Sequence, residues 1–422
     1  MKLNKYLIAI LLLGFCLRIL TFFIYGYDLN LQSDDANYRV SAEVLLKTGM
    51  LTYVEHAIPT VHIMPGQVWL LSLPILLFGP GNASLIATKI MFILLGTLSI
   101  YLLYKIGVKL FNEKAGLIAA FLLAIYLPQV LMDNITLTES PFLPAFLALI
   151  YFSLKLVEKK NMSTFLIMLL FYFIALFLRV QIALYPVFLF IYLLIKKYPF
   201  KLMMKQFSVS VVLLLIVMGP WWIRNYAAYN QFIPLTGGSG NPLLLGSFYG
   251  QGITPGNYSE IVEQINKEHP HANKYEIMEA QKEVAKERIS YWWKHNPKYF
   301  IKSYLYIKPQ LLWHKEYFPK EIFLPFDVVN KAGNYLKVIG FASLIAAFFL
   351  LKKQRKELIF IALLLFFQTY FNSSILSFNR YALPMMPLLF MAIGGLGGYL
   401  IIKYKNKSLE SSSNSKSVSI ND

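Results

Sequence analysis

"MKLNKYLIAILLLGFCLRILTFFIYGYDLNLQSDDANYR", residues 1–39, begins with a basic start, enters a long apolar run, and leaves it for two adjacent carboxylates, Asp34 and Asp35. The run is too long for the core of a secretory signal, and no small-residue cleavage site follows it. It reads as an uncleaved first membrane span near 6–26. Bulk composition agrees. Of the 422 residues, 57% are hydrophobic and only 15% charged, whereas soluble domains carry about 25% charge. Cys16 is the single cysteine, so no disulfide can form within the chain.

Further apolar runs long enough to cross a hydrocarbon core lie near 83–106, 115–132, 137–156, 163–179, 181–196, 206–223, 335–351, 357–375 and 381–402. The expected fold is therefore all-α and polytopic, with about ten transmembrane helices. The stretch "GQVWLLSLPILLFG", 66–79, is shorter and contains Pro74, which suits an interfacial or re-entrant helix.

The net charge of +18 raises nucleic acid as a partner, and the placement of the lysines decides against it. With the N-terminus cytoplasmic, Lys105, Lys109 and Lys114 fall in one inside loop, and Lys155, Lys159 and Lys160 in the next. Lys196, Lys197, Lys201 and Lys205 follow, then Lys352, Lys353, Arg355 and Lys356, and finally Lys403, Lys405 and Lys407. The basicity is topological, and both termini are expected in the cytoplasm of a multi-pass cell-membrane protein. The chain then divides into an N-terminal transmembrane module (1–223, with a first outer loop at 27–66), an outer segment (224–334), C-terminal transmembrane helices (335–407) and a Ser-rich, disordered cytoplasmic tail (408–422). In the outer segment, Ile277, Ala280, Ala285, Ile289 and Trp292 recur at helical spacing between basic residues, as in a helix lying on a membrane surface.

The Asp pair opens a short helix that Ser33 or Asp34 can cap and Gly49 can stop. Asp34 shares a face with Tyr38, and Asp35 with Arg39, which can neutralise it. On spacing alone, a helix start and a catalytic carboxylate remain equally open. The wider charge pattern adds weight to chemistry: Arg179, Arg224, Arg380 and Glu139 all fall at span ends on the same outer side as Asp34. Taken singly, each reads as a helix-end or snorkelling residue. Together they form a layer that suits an anionic headgroup beside a proton acceptor. Arg18, well inside the first span, needs a buried partner and reads as structural. His56, His62, His269 and His271 read as solvated loop histidines; their spacing offers no metal set, and no cofactor is expected. No Gly-rich phosphate loop follows a strand, and "LTGGSGNPLLLGS" reads as a turn-rich loop.

The order of these motifs resembles the polytopic GT-C class glycosyltransferases that use polyprenyl-phosphate sugars. It is similar to the protein O-mannosyltransferases and to the aminoarabinose transferase that modifies lipid A. The matching elements are Asp34-Asp35 with Tyr38, Gly49, "MPGQVWLLSLPILLFG", "LTES" at 137–140, "LRVQIALYP" at 178–186, "PWWIRNYAAYNQFIPLTGGSGNPLLLGS" at 220–247 and "NRYALPMMPLL" at 379–389. The second acid is Asp35 where relatives often carry Glu, and Asn37 stands where the lipid A enzymes tend to have Arg. The resemblance implies a catalytic carboxylate in the first outer loop, which falls on Asp34 with Asp35 beside it. It also implies a donor lipid phosphate held by basic groups, for which Arg179, Arg224 and Arg380 are the candidates. Tyr38, Glu139 and Asn225, in or beside the same motifs, are candidates for substrate contact. The implied activity is transfer of a sugar from a polyprenyl phosphate to an acceptor hydroxyl of a glycan, lipid or protein at the outer face, with inversion. A transporter or lipid-linked sugar flippase, or a surface-polysaccharide polymerase or ligase, is the alternative. A transporter would place its ionisable groups nearer the bilayer midplane.

Overall fold

The computed structural model describes residues 4–418, with side chains described to Lys405. Among the described residues the chain is helical, without a strand. Seven helices are long and apolar enough to cross a membrane: Lys5–Tyr25, Asn82–Leu110, Glu139–Lys159, Phe200–Tyr229, Phe326–Leu350, Lys352–Ile375 and Asn379–Lys405. The remaining expected spans appear as the shorter apolar helices Glu113–Ile125, Met162–Leu178 and Tyr185–Ile195. The run at 115–132 breaks at Tyr126, because Pro128 opens a separate short helix, Leu127–Met132. Two boundaries move outward. The expected span at 206–223 continues through Arg224 to Tyr229, and the one at 335–351 begins at Phe326. The last helix runs on through Val418, across most of the stretch expected as a tail, whose residues 419–422 lie outside those described.

Glu139–Lys159 is the most enclosed long helix, packed between Asn82–Leu110 and Met162–Leu178. Phe200–Tyr229 is the least enclosed and presents Phe207, Val212, Leu215, Ile216 and Ile223 outward, as a lipid-facing helix should. Arg18 finds its partner in Asp133: Nε donates to Oδ2 at 2.7 Å, both side chains are fully buried, and Nη1 donates to the Gly14 carbonyl. Asp133 also accepts from Gln129 and Ser140, so the acid is held from several sides, while Arg18 Nη2 is buried without a hydrogen-bond partner.

Between Tyr229 and Phe326 lies a helical layer. Helix Lys274–His295 starts at an Asn273–Glu276 capping box. Its buried stripe is Met278, Gln281, Ala285, Arg288 and Trp292. Ala285 of that stripe meets Leu244 of helix Gly240–Gly246 and Ile265 of helix Tyr258–Glu268, while Met278 packs with Val61, Tyr229 and Ile233. The apolar periodicity thus serves small packed cores rather than a free face for lipid.

Candidate active site

Asp34 begins helix Asp34–Thr48, which ends where Gly49 adopts φ +74° and its N–H reaches the Leu45 carbonyl. The two acids have separate surroundings. Asp35 is buried and turns back onto the preceding loop, accepting from the Leu31 N–H at 2.7 Å and the Ser33 N–H at 3.1 Å. Ser33 makes no side-chain cap, and Arg39 pairs with Glu43 and the Gly81 carbonyl rather than with Asp35. Asp35 is therefore engaged with backbone. Asp34, with its side chain 43% exposed, faces a cavity of about 350 Å³.

Two donors converge on Asp34. The Tyr53 hydroxyl donates to Oδ1 at 2.6 Å, and Arg380 Nη1 donates to Oδ2 at 2.7 Å. Arg380 lies in the turn Asn379–Tyr381, and the rest of its fork grips Glu139 through Nε (2.5 Å) and Nη2 (3.1 Å). Arg179, at the end of helix Met162–Leu178, donates through Nη1 to the same carboxylate at 2.8 Å. Glu139 is the first residue of its helix, where the dipole favours an anion. One guanidinium thus joins carboxylates from two distant parts of the chain, and a second completes a set of two acids and two arginines. Such bidentate, buried contacts need the planar guanidinium fork.

Tyr38, Tyr53, His62, Thr138, Arg179, Gln181 and Arg380 line the cavity with Asp34, and Thr236, Gly238, Ser239 and Asn372 close its other walls. Burial, with the Asp34 charge nearby, holds the Tyr38 phenol well above the ordinary tyrosine range. Burial does the same to Tyr53, helped by Tyr38 and Asp34, so its hydroxyl stays a donor. Tyr53 stacks on His62, with ring centroids 5.4 Å apart, and burial lowers the His62 pKa below its usual value. Gly238 and Gly240 allow the neighbouring loop to pass tightly: a Cβ at Gly238 would lie 2.4 Å from the His62 carbonyl, and one at Gly240 1.8 Å from that of Met278. Arg179 gives only Nη1 to a protein acceptor among the described residues, and it lines the cavity. No three His, Cys, Asp or Glu side chains among the described residues converge as metal ligands would.

The structure brings Asp34, Tyr38, Arg179 and Arg380 to one cavity, with Glu139 behind the arginines. It separates three other candidates from it. Asp35 is spent on backbone, as above. Arg224 donates to the carbonyls of Thr60 (2.6 Å) and Leu51 (3.1 Å), clasping the base of the loop that carries Tyr53. Asn225 is fully buried and donates to the Ile233 carbonyl. Both belong to helix Phe200–Tyr229 running on past 223, which sets them against the carbonyls of Leu51, Thr60 and Ile233 and away from the cavity. His62 is a half-buried wall of the cavity rather than a solvated residue. Tyr53 and His62 carry no periodic or spacing signal, and only the folding of 51–64 over Asp34 reveals them.

Residues 60–223 match the family model described as dolichyl-phosphate-mannose-protein mannosyltransferase. No curated protein sequence matches the chain. In fold it is similar to ArnT from Cupriavidus metallidurans bound to undecaprenyl phosphate, at 13% identity and a TM-score of 0.57, over 93% of this chain and 59% of that one. It is also similar to the archaeal oligosaccharyltransferase AglB from Archaeoglobus fulgidus, in complex with an inhibitory peptide and a dolichol-phosphate. There the identity is 16% and the TM-score 0.60, over 97% of this chain and 51% of that one. The chain spans between half and three-fifths of the length of these proteins. The cavity therefore sits in a chain that has the fold of the GT-C glycosyltransferases and carries, over residues 60–223, the sequence pattern of the dolichyl-phosphate-mannose-protein mannosyltransferase family model.

Proposed function

We propose that the protein is a membrane glycosyltransferase that moves a sugar from a polyprenyl phosphate to an acceptor hydroxyl, at the outer face of the cell membrane and with inversion. The observation that carries this reading is the single guanidinium of Arg380 held between Asp34 and Glu139 on the wall of one cavity, with Arg179 beside it. The likeness to two folds whose structures hold polyprenyl phosphates supports the choice of donor.

The acceptor oxygen attacks the anomeric carbon as the bond from that carbon to the phosphate oxygen breaks. The bonding pair leaves with the phosphate, and the acceptor proton passes to Asp34. Asp34 suits the role of base because it is the cavity's exposed carboxylate, while Glu139 is buried and fully occupied by arginines. Arg179 and Arg380 stabilise the departing phosphate as fixed charges that need no rearrangement at the moment of reaction. Glu139 holds the two forks in place, and Tyr53 orients Asp34. Attack from the face opposite the phosphate inverts the anomeric centre. The outer-face placement rests on the lysine pattern of the opposite loops. The acceptor is a glycan, lipid or protein hydroxyl.

Asp34→Asn tests this. Sugar transfer in isolated membranes should fall by about 10²–10⁴-fold, the usual worth of a general base, with protein level and donor binding retained. Undiminished transfer would remove Asp34 from the mechanism. Transport of a lipid-linked sugar by proteoliposomes with no transfer would replace the enzyme with a flippase.

A further inference from the structure

Lys89 is the buried charge that the proposed mechanism leaves unused. It lies in the second turn of helix Asn82–Leu110 and is 2% exposed. An ammonium buried inside a membrane-spanning helix is costly and needs partners. Its partners are two main-chain carbonyls, Leu29 in a loop and Asn134 in a turn, both outside any helix. Leu29 precedes the turn that Asp35 ties down before Asp34. Asn134 precedes the turn that leads to Glu139. The same two segments meet again where the Thr136 hydroxyl donates to the Asp35 carbonyl at 3.3 Å, and Gln67 holds the Thr136 carbonyl from below.

We propose that Lys89 is a positioning residue of the site: one amine cross-ties the segment that carries Asp34 to the segment that carries Glu139. This inference rests on the glycosyltransferase reading above. The Arg380 fork has a fixed span, and it reaches both carboxylates only while those segments keep their present separation. Glu139 is enclosed and retains its arginines without Lys89. Asp34 is on a short, half-exposed helix, so it is the partner that drifts when the tie is cut. The loss then falls on the chemical step, where a misplacement of about 1 Å costs on the order of 10²-fold, and not on phosphate binding by Arg179 and Arg380.

The test is Lys89→Met in proteoliposomes, with undecaprenyl phosphate carrying mannose, glucose or aminoarabinose; the donor used best by the wild type is followed. Rates are expressed per donor-binding site, so that unfolded protein does not count. The kcat should fall about 10- to 100-fold with the donor KM within about twofold of wild type. Wild-type kcat, or a KM that rises as kcat falls, would overturn the cross-tie. Lys89→Gln, which keeps one neutral donor, should give an intermediate kcat, and it carries the same test should the Met variant not fold. Transfer of none of the three sugars by the wild type would instead bring down the glycosyltransferase reading, and the inference with it.

Discussion

The helix Glu139–Lys159 carries a carboxylate near each end, and the two could hardly differ more. Glu139 is fully buried, sits at the positive end of the helix dipole, and is gripped by Arg179 and Arg380. Glu158, about 30 Å away along the axis, has its side chain 59% exposed and meets one lysine, Lys109, at 2.5 Å. At the Glu158 end a single lysine, its side chain 15% exposed, meets a single exposed acid as a point charge. At the Glu139 end one desolvated arginine fork is shared between two acids and a second closes on the same carboxylate. The contrast teaches that charge count does not mark function in this molecule; burial and sharing do.

The contrast can be broken first at Glu139. Glu139→Gln leaves buried Arg179 without a carboxylate and Arg380 with Asp34 alone, and should cost about 3–5 kcal/mol, read as a large fall in Tm in detergent. A Tm near wild type would mean that the buried cluster is not a unit. A smaller effect should separate the two ends by their response to acid. Burial holds the His62 pKa below the ordinary 6.5, so as pH falls the unfolded chain takes up the proton first. The stabilisation is complete above about pH 6.5 and shrinks below it. The Tm of the wild type should drop further between pH 7.5 and 5.5 than that of His62→Phe, which keeps the stack on Tyr53. Equal slopes would remove His62 from the cavity's buried wall. Least of all should happen at Glu158, where Glu158→Gln is expected to change stability by about 0–1 kcal/mol.

Much of the fold was legible because apolar length and lysine placement are one-dimensional signals. Arg179, Arg380 and Glu139 stood out as charged groups at the ends of apolar runs, on the same side as Asp34, and Tyr38 as sharing a helix face with Asp34; the structure gathers all five around one place. Arg224 bore the same signal and ended elsewhere, since its helix continues beyond the expected boundary and presents it to loop carbonyls. Neighbouring acids were not separable from spacing: Asp35 differs from Asp34 only in which way its turn folds. Tyr53 and Asp133 were invisible for the same reason, since each owes its role to a partner far away in the chain, and Lys89 was a charge inside the expected span 83–106 whose partners the sequence does not name. The helical spacing on Lys274–His295 was legible and its partners were not: Ala285 packs on Leu244 and Ile265, and Met278 on Val61.

The central claim is that the Arg380 cavity holds a lipid phosphate that bears a sugar. Native mass spectrometry of the purified protein tests it most directly. A polyprenyl-phosphate sugar should accompany the wild type and be lost from Arg380→Gln. A wild type that carries no such lipid, or a variant that retains it undiminished, would contradict the account.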